Sequence, residues 1–196
     1  RDASFDAASE ATAAHPGAHV AWTIGPAGTE PRDYWEAIEH ALERDSSIVL
    51  CETVTGARAA RAFLAAWTDV AVGVEGVDVL LGCSVDAHDS ASSGWVLDVA
   101  GDAPAPVTIG LNCCSGPVGM GGLLAAIAEV RGGTWAMPSA GLPTGEPPTW
   151  PFADPARWVE EVTRWLDDVP LVGVGGCCGT GPGTIEALAS IAAARG

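Results

Sequence analysis

Val107-Thr108-Ile109-Gly110-Leu111-Asn112-Cys113-Cys114 sets a short apolar run directly against a polar, thiol-bearing end. A run of this length, apolar on both faces, reads as a strand buried on both sides of a parallel sheet. Five similar runs lie around it, at residues 20–24, 47–51, 77–85, 134–137 and 171–174. The segments between them have helical spacing. Tyr34, Ile38 and Leu42 share one face, and Ala60, Phe63, Leu64 and Trp67 another. Leu123, Leu124, Ile127 and Val130 form a third stripe. Asp154-Pro155, an N-cap followed by a first-turn proline, opens a fourth through Trp158, Val162, Trp165 and Leu166. Ile185, Leu188 and Ala192 make the last.

Strand-then-helix repeated six times specifies an α/β fold with a parallel sheet covered by helices. A doubly wound sheet and a (β/α) barrel both satisfy that rhythm, so the strand ends decide. Glycine and polar residues gather there: Gly25-Pro26, Glu52-Thr53, Asn112-Cys113, Pro138-Ser139 and Gly175-Gly176-Cys177-Cys178. Barrel enzymes build their sites on that rim from several strands, and alternate strands feed the same interior layer. Glu52, Asn112-Cys113 and Cys177-Cys178 follow the second, fourth and sixth strands, which brings them to one level above the core. A barrel is expected.

Composition narrows the function. The 196 residues suffice for one well-buried domain. With 48 % apolar and 17 % charged residues, the chain reads as globular rather than disordered. The net charge of −16, with every basic residue an arginine, repels a phosphate backbone and argues against a nucleic-acid partner. No apolar run is long enough to span a membrane, and residues 1–6 carry no signal-peptide core, so a cytoplasmic protein is expected.

Six cysteines in such a chain point to metal or redox chemistry rather than a disulfide framework. Four stand as the pairs Cys113-Cys114 and Cys177-Cys178 in glycine-rich surroundings. Thiolates select zinc among common cytoplasmic metals, and catalytic zinc keeps three protein ligands with one open position. Cys177, Cys178 and Cys113 would supply that number. Neighbouring residues on a regular strand point to opposite faces, so Cys177 and Cys178 can share a metal only across a sharp turn, which the flanking glycines permit. The alternative is a pair of small buried residues beside a tight turn.

The stretches Gly110-Leu111-Asn112-Cys113-Cys114 and Val174-Gly175-Gly176-Cys177-Cys178-Gly179-Thr180-Gly181-Pro182 resemble, in order and separation, the two zinc motifs of the homocysteine S-methyltransferase family. Met137-Pro138-Ser139-Ala140-Gly141-Leu142-Pro143 is similar to the seventh-strand motif in the homocysteine domain of cobalamin-dependent methionine synthases. Ile24-Gly25-Pro26-Ala27-Gly28 and Glu52-Thr53 look like the family's third and fourth strand ends. The resemblance spans essentially the whole chain. It implies a (β/α)8 TIM barrel in which zinc (Zn2+) is held by Cys113, Cys177 and Cys178. Homocysteine would bind zinc through its sulfur and take a methyl group from an activated donor, giving methionine. Glu52 would meet the homocysteine ammonium, and Asn112 would lie beside the metal-bound sulfur. S-methylmethionine, S-adenosylmethionine, betaine and a methylcorrinoid are the donors the resemblance admits. Two positions depart from the pattern: Ser139 where asparagine often stands, and Gly183-Thr184 where relatives often carry histidine.

Counted against that family, residues 20–24 are a third strand, and a whole barrel takes about 250 residues. Residues 1–196 are therefore expected to be a homocysteine-binding barrel domain of about six βα units, lacking the first two, with residues 2–14 as the tail of the second helix. Cys51, Cys83 and Cys114 read as packing residues, and His15, His19, His40 and His88 as surface residues. Trp150, in the long Pro/Gly-rich loop at 141–154, is a candidate substrate wall. Three other functions compete: a zinc methyltransferase for another small thiol or selenol, a non-catalytic zinc-binding remnant, and a redox protein using adjacent cysteines.

Overall fold

The computed structural model describes residues 3–15, 17–86 and 90–195. Helix α1 (Ala3–Ala13) leads into six strands: β1 (Ala21–Ile24), β2 (Ile48–Val54), β3 (Asp78–Cys83), β4 (Thr108–Cys113), β5 (Thr134–Pro138) and β6 (Leu171–Val174). Each strand is followed by a helix: α2 (Arg32–Glu43), α3 (Ala57–Val70), α4 (Ser90–Asp102), α5 (Met120–Arg131), α6 (Pro155–Leu166) and α7 (Pro182–Arg195).

All pairings among these six strands are parallel, and their spatial order is their chain order, β1 to β6. A doubly wound sheet reverses its order at a switch point. Here there is no reversal, and successive helices pack on one another in a single outer layer. The architecture is six βα units of a barrel, running as an open arc from β1 to β6. No helix among the described residues is long and apolar enough to cross a membrane.

The two faces of the sheet divide the labour. Val49 and Cys51, Val79, Leu81 and Cys83, Ile109 and Leu111, and Ala136 join the buried cluster with the helices. The alternate residues, among them Leu50, Glu52, Gly82, Gly110, Asn112 and Trp135, therefore face the barrel interior. Trp135 and Asn112 reach across that interior to Gly82. A Cβ there would sit 2.5 Å from Asn112 Oδ1 and 2.9 Å from Trp135 Cη2, so only glycine fits.

The helices follow their apolar stripes with three differences. On α6 the stripe buries Trp158, Val162 and Trp165, and the Asp154 carboxylate caps the helix by accepting the Ala156 N–H at 3.0 Å. On α5, Leu124 and Ile127 are buried but Val130 is 51 % exposed. Of the α7 stripe only Leu188 is buried, while Ile185 and Ala192 are exposed, because this helix packs chiefly on α6 at the end of the arc. Helix α4 has no stripe in the sequence reading. Its first half is Ser/Gly-rich, and the buried Val96, Val99 and Ala100 crowd into its second half. Strand β2 runs on past Cys51 to Val54 through an irregularity at which Thr53 takes φ 60°. His15, His19 and His40 are exposed, and Cys51, Cys83 and Cys114 are buried. His88 lies outside the described residues.

Candidate metal centre

Strand β4 ends in a backbone switch. Cys113 would continue the helix-facing row of Ile109 and Leu111, yet its φ of 57° lies in the left-handed region, followed by Cys114 at 53°. That turn takes the Cys113 thiol off its row and towards the end of β6. Cys114 goes the other way, into the core, with Sγ 3.4 Å from the Asn112 carbonyl. Burial pushes its thiol up to about 11.

After β6 the chain makes a second turn. The Thr180 N–H and hydroxyl both donate to the Cys177 carbonyl, at 3.1 and 2.6 Å. Gly179 occupies the third position of this turn with φ 76°, as a type II turn requires. Cys177 and Cys178 thus sit at the first and second corners, which brings their sulfurs to one side, 3.9 Å apart. Two bonds tie the turn to the end of β5 and the loop after it: the Cys177 N–H donates to the Pro138 carbonyl at 3.0 Å, and the Ala140 N–H to the Cys178 carbonyl at 2.8 Å.

Cys113 Sγ lies 3.5 Å from Cys178 Sγ, and the three sulfurs of Cys113, Cys177 and Cys178 all fall within 4.8 Å of one another. Tetrahedral zinc at about 2.3 Å from each sulfur holds its thiolates about 3.8 Å apart. The two closest separations bracket that value, so the donor set fits such an ion. Burial first, then the thiols of Cys177 and Cys178, push the Cys113 thiol up to about 12. A cation bound here would oppose that push by favouring the Cys113 thiolate.

The other residues singled out in the sequence stand around this cluster. Glu52 is half-buried on the interior face of β2. Asn112 is wholly buried, and its amide is spent on β2: Oδ1 accepts the Thr53 N–H at 2.8 Å, and Nδ2 donates to the Thr53 hydroxyl at 3.0 Å. The second and fourth strand ends are thereby joined across β3. Ser139 is buried too, its hydroxyl 3.2 Å from both the Cys114 and the Gly141 carbonyls, which share its one proton, while it accepts the Gly141 N–H at 3.2 Å. It ties the loop after β5 to the loop after β4. Sequence reading missed that Thr53 is the partner of Asn112; the only local sign was its place beside Glu52 on the rim.

A model of the homocysteine S-methyltransferase family matches residues 2–192. The chain belongs to that family. Its enzymes are S-methyltransferases acting on homocysteine, and the two cysteine motifs lie inside the matched region. Two solved structures of the homocysteine methyltransferase MmuM from Escherichia coli share the fold. The apo form is 18 % identical with a TM-score of 0.64, the match covering 95 % of this chain and 68 % of that one. The metallated form is 15 % identical with a TM-score of 0.66, covering 95 % and 67 %. No curated protein sequence matches the chain.

Proposed function

We propose that this chain transfers a methyl group from an activated donor to the thiol of homocysteine, giving methionine, at a zinc ion held by Cys113, Cys177 and Cys178. The observation that carries the reading is the convergence of three thiols, from the end of β4 and the turn after β6, within 4.8 Å of one another, in a member of this family. That a solved MmuM structure is a metallated form adds support. Held by these three thiols, zinc would act as a Lewis acid that favours the thiolate over the thiol of a substrate.

The homocysteine sulfur is itself the nucleophile, so no protein nucleophile is required. Its lone pair forms the new S–CH3 bond as the donor–CH3 bond breaks, and that electron pair leaves with the donor. S-methylmethionine, S-adenosylmethionine, betaine or a methylcorrinoid each carries a methyl group activated in this sense. The chain's residues bind and orient. Glu52, on the interior face of β2, pairs with the substrate ammonium. Asn112 holds the Thr53 end of β2 in place and lends polarity beside the substrate sulfur. Buried Cys114, behind the half-buried Cys113, closes the inner side of the centre to water.

Zinc content after dialysis against a weak chelator, together with methionine formation from homocysteine and each donor in turn, tests the proposal. One zinc per chain is expected. Cys177→Ala should lose most of the metal and all detectable transfer, whereas Cys51→Ala should keep its zinc. Full zinc occupancy in Cys177→Ala, or transfer by that variant, overturns the assignment.

A further inference from the structure

We propose that Trp150 is a positioning residue: its indole backs the Cys177–Thr180 turn and sets the aim of the Cys177 and Cys178 thiols. The inference rests on the reading of these thiols as metal ligands.

The geometry is a close approach of ring to backbone. A Cβ built on Gly179 would collide with Cδ2 of Trp150 and would lie 2.6 Å from Cε3 and 2.8 Å from Cε2. The indole therefore lies across the Gly179 Cα, at the third corner of the turn whose first two corners carry the thiols. Glycine is needed there twice over, for its φ of 76° and for the space the ring takes.

Trp150 is well anchored for such a task. Its carbonyl accepts the Ala153 N–H at 3.2 Å, and the Phe152 N–H donates to Ala140, whose own N–H holds the Cys178 carbonyl. Arg157 donates to the Pro151 carbonyl at 3.3 Å and stacks on the Phe152 ring at 4.8 Å. On the other side, Thr144 and Thr149 close a small antiparallel bridge. Residues 142–149 form an exposed tip, while Trp150 is half-buried. The long loop is thus a hairpin whose base presses an aromatic plate on the turn. This differs from a substrate wall, because the contacted atoms belong to the chain.

Outer contacts of this kind typically change metal affinity by about 10–100-fold when removed. Trp150→Ala is expected to weaken cobalt(II) binding by that order in a chelator competition. It should also alter the thiolate-to-cobalt charge-transfer band. Trp150→Phe, which keeps a flat ring, should restore most of both. Gly179→Ala should weaken binding too, and less so in the Trp150→Ala background, where the ring no longer collides. In the metal-free protein, bridging of Cys113 to Cys178 by dibromobimane should slow in Trp150→Ala.

Unchanged cobalt affinity, spectrum and bridging rate in Trp150→Ala overturn the inference, as does failure of Trp150→Phe to recover any of the loss. Cys177→Ala separates the two readings. If it binds cobalt normally, the metal-centre assignment fails. If it loses cobalt while Trp150→Ala does not, only the positioning role fails.

Discussion

Asn112→Ala removes a wholly buried side chain whose two amide atoms both bind Thr53. The largest loss is the acceptor for the Thr53 N–H. Leaving a buried donor without a partner costs about 1–3 kcal/mol. The missing carboxamide also opens a small void beside Gly82 and Trp135, worth about 1 kcal/mol on the scale of roughly 24 cal/mol per Å3 of cavity. Thr53 sits at φ 60°, a strained state of order 1–3 kcal/mol that the Asn112 contacts help to hold. Relaxation of that strain returns part of the loss. A net destabilisation of about 1–3 kcal/mol follows, a large share of the roughly 5–15 kcal/mol total typical of a domain. Urea unfolding at pH 7, followed by tryptophan fluorescence and far-UV circular dichroism, measures it. A loss below about 0.5 kcal/mol, the range of ordinary surface substitutions, would falsify the argument that Asn112 staples β4 to β2.

Glu52→Gln should raise the KM for homocysteine while kcat at saturation and zinc content change little, since the lost charge serves only to bind. Loss of zinc in that variant contradicts the role. Alkaline stability reports the buried thiols. Burial, and then the Glu52 charge, raise Cys51 from 9.0 to about 12, and burial raises Cys83 as well. The folded chain keeps these protons that the unfolded chain releases, so their stabilisation is full below pH 9 and is lost as pH rises from 9 through 12. The slope is about 1.4 kcal/mol per pH unit for each thiol. Cys51→Ala should make the fall in urea midpoint between pH 9 and 11 shallower by one proton; an unchanged slope counts against the burial account.

Much of the fold was written in short windows. All six strands and five of the six helices that follow them can be found from apolar period, glycine and caps, each a property of a few neighbouring residues. Helix α4 escapes because its Ser/Gly-rich opening hides the stripe of Val96, Val99 and Ala100. The stripe on α7 is visible but only Leu188 is buried, since burial depends on what the helix meets and not on its own period. At the centre, the need for a turn to unite Cys177 with Cys178 followed from strand alternation alone. The left-handed Cys113 did not, because that conformation is uncommon for a non-glycine residue and leaves no local mark.

Residue identity settled the chemistry available: three thiols at strand ends, one carboxylate, one amide, and a glycine where a turn must reverse. Tertiary structure alone decided who meets whom. Asn112 finds Thr53 across 59 positions of chain, and Cys113 finds Cys178 across 65. Those meetings depend on the parallel register of β2 to β6, a cooperative property of the whole sheet that no window of sequence contains. The same holds for Trp150, which reads as a loop aromatic until the hairpin lays it over Gly179, where the absence of a Cβ leaves room for nothing but a flat ring.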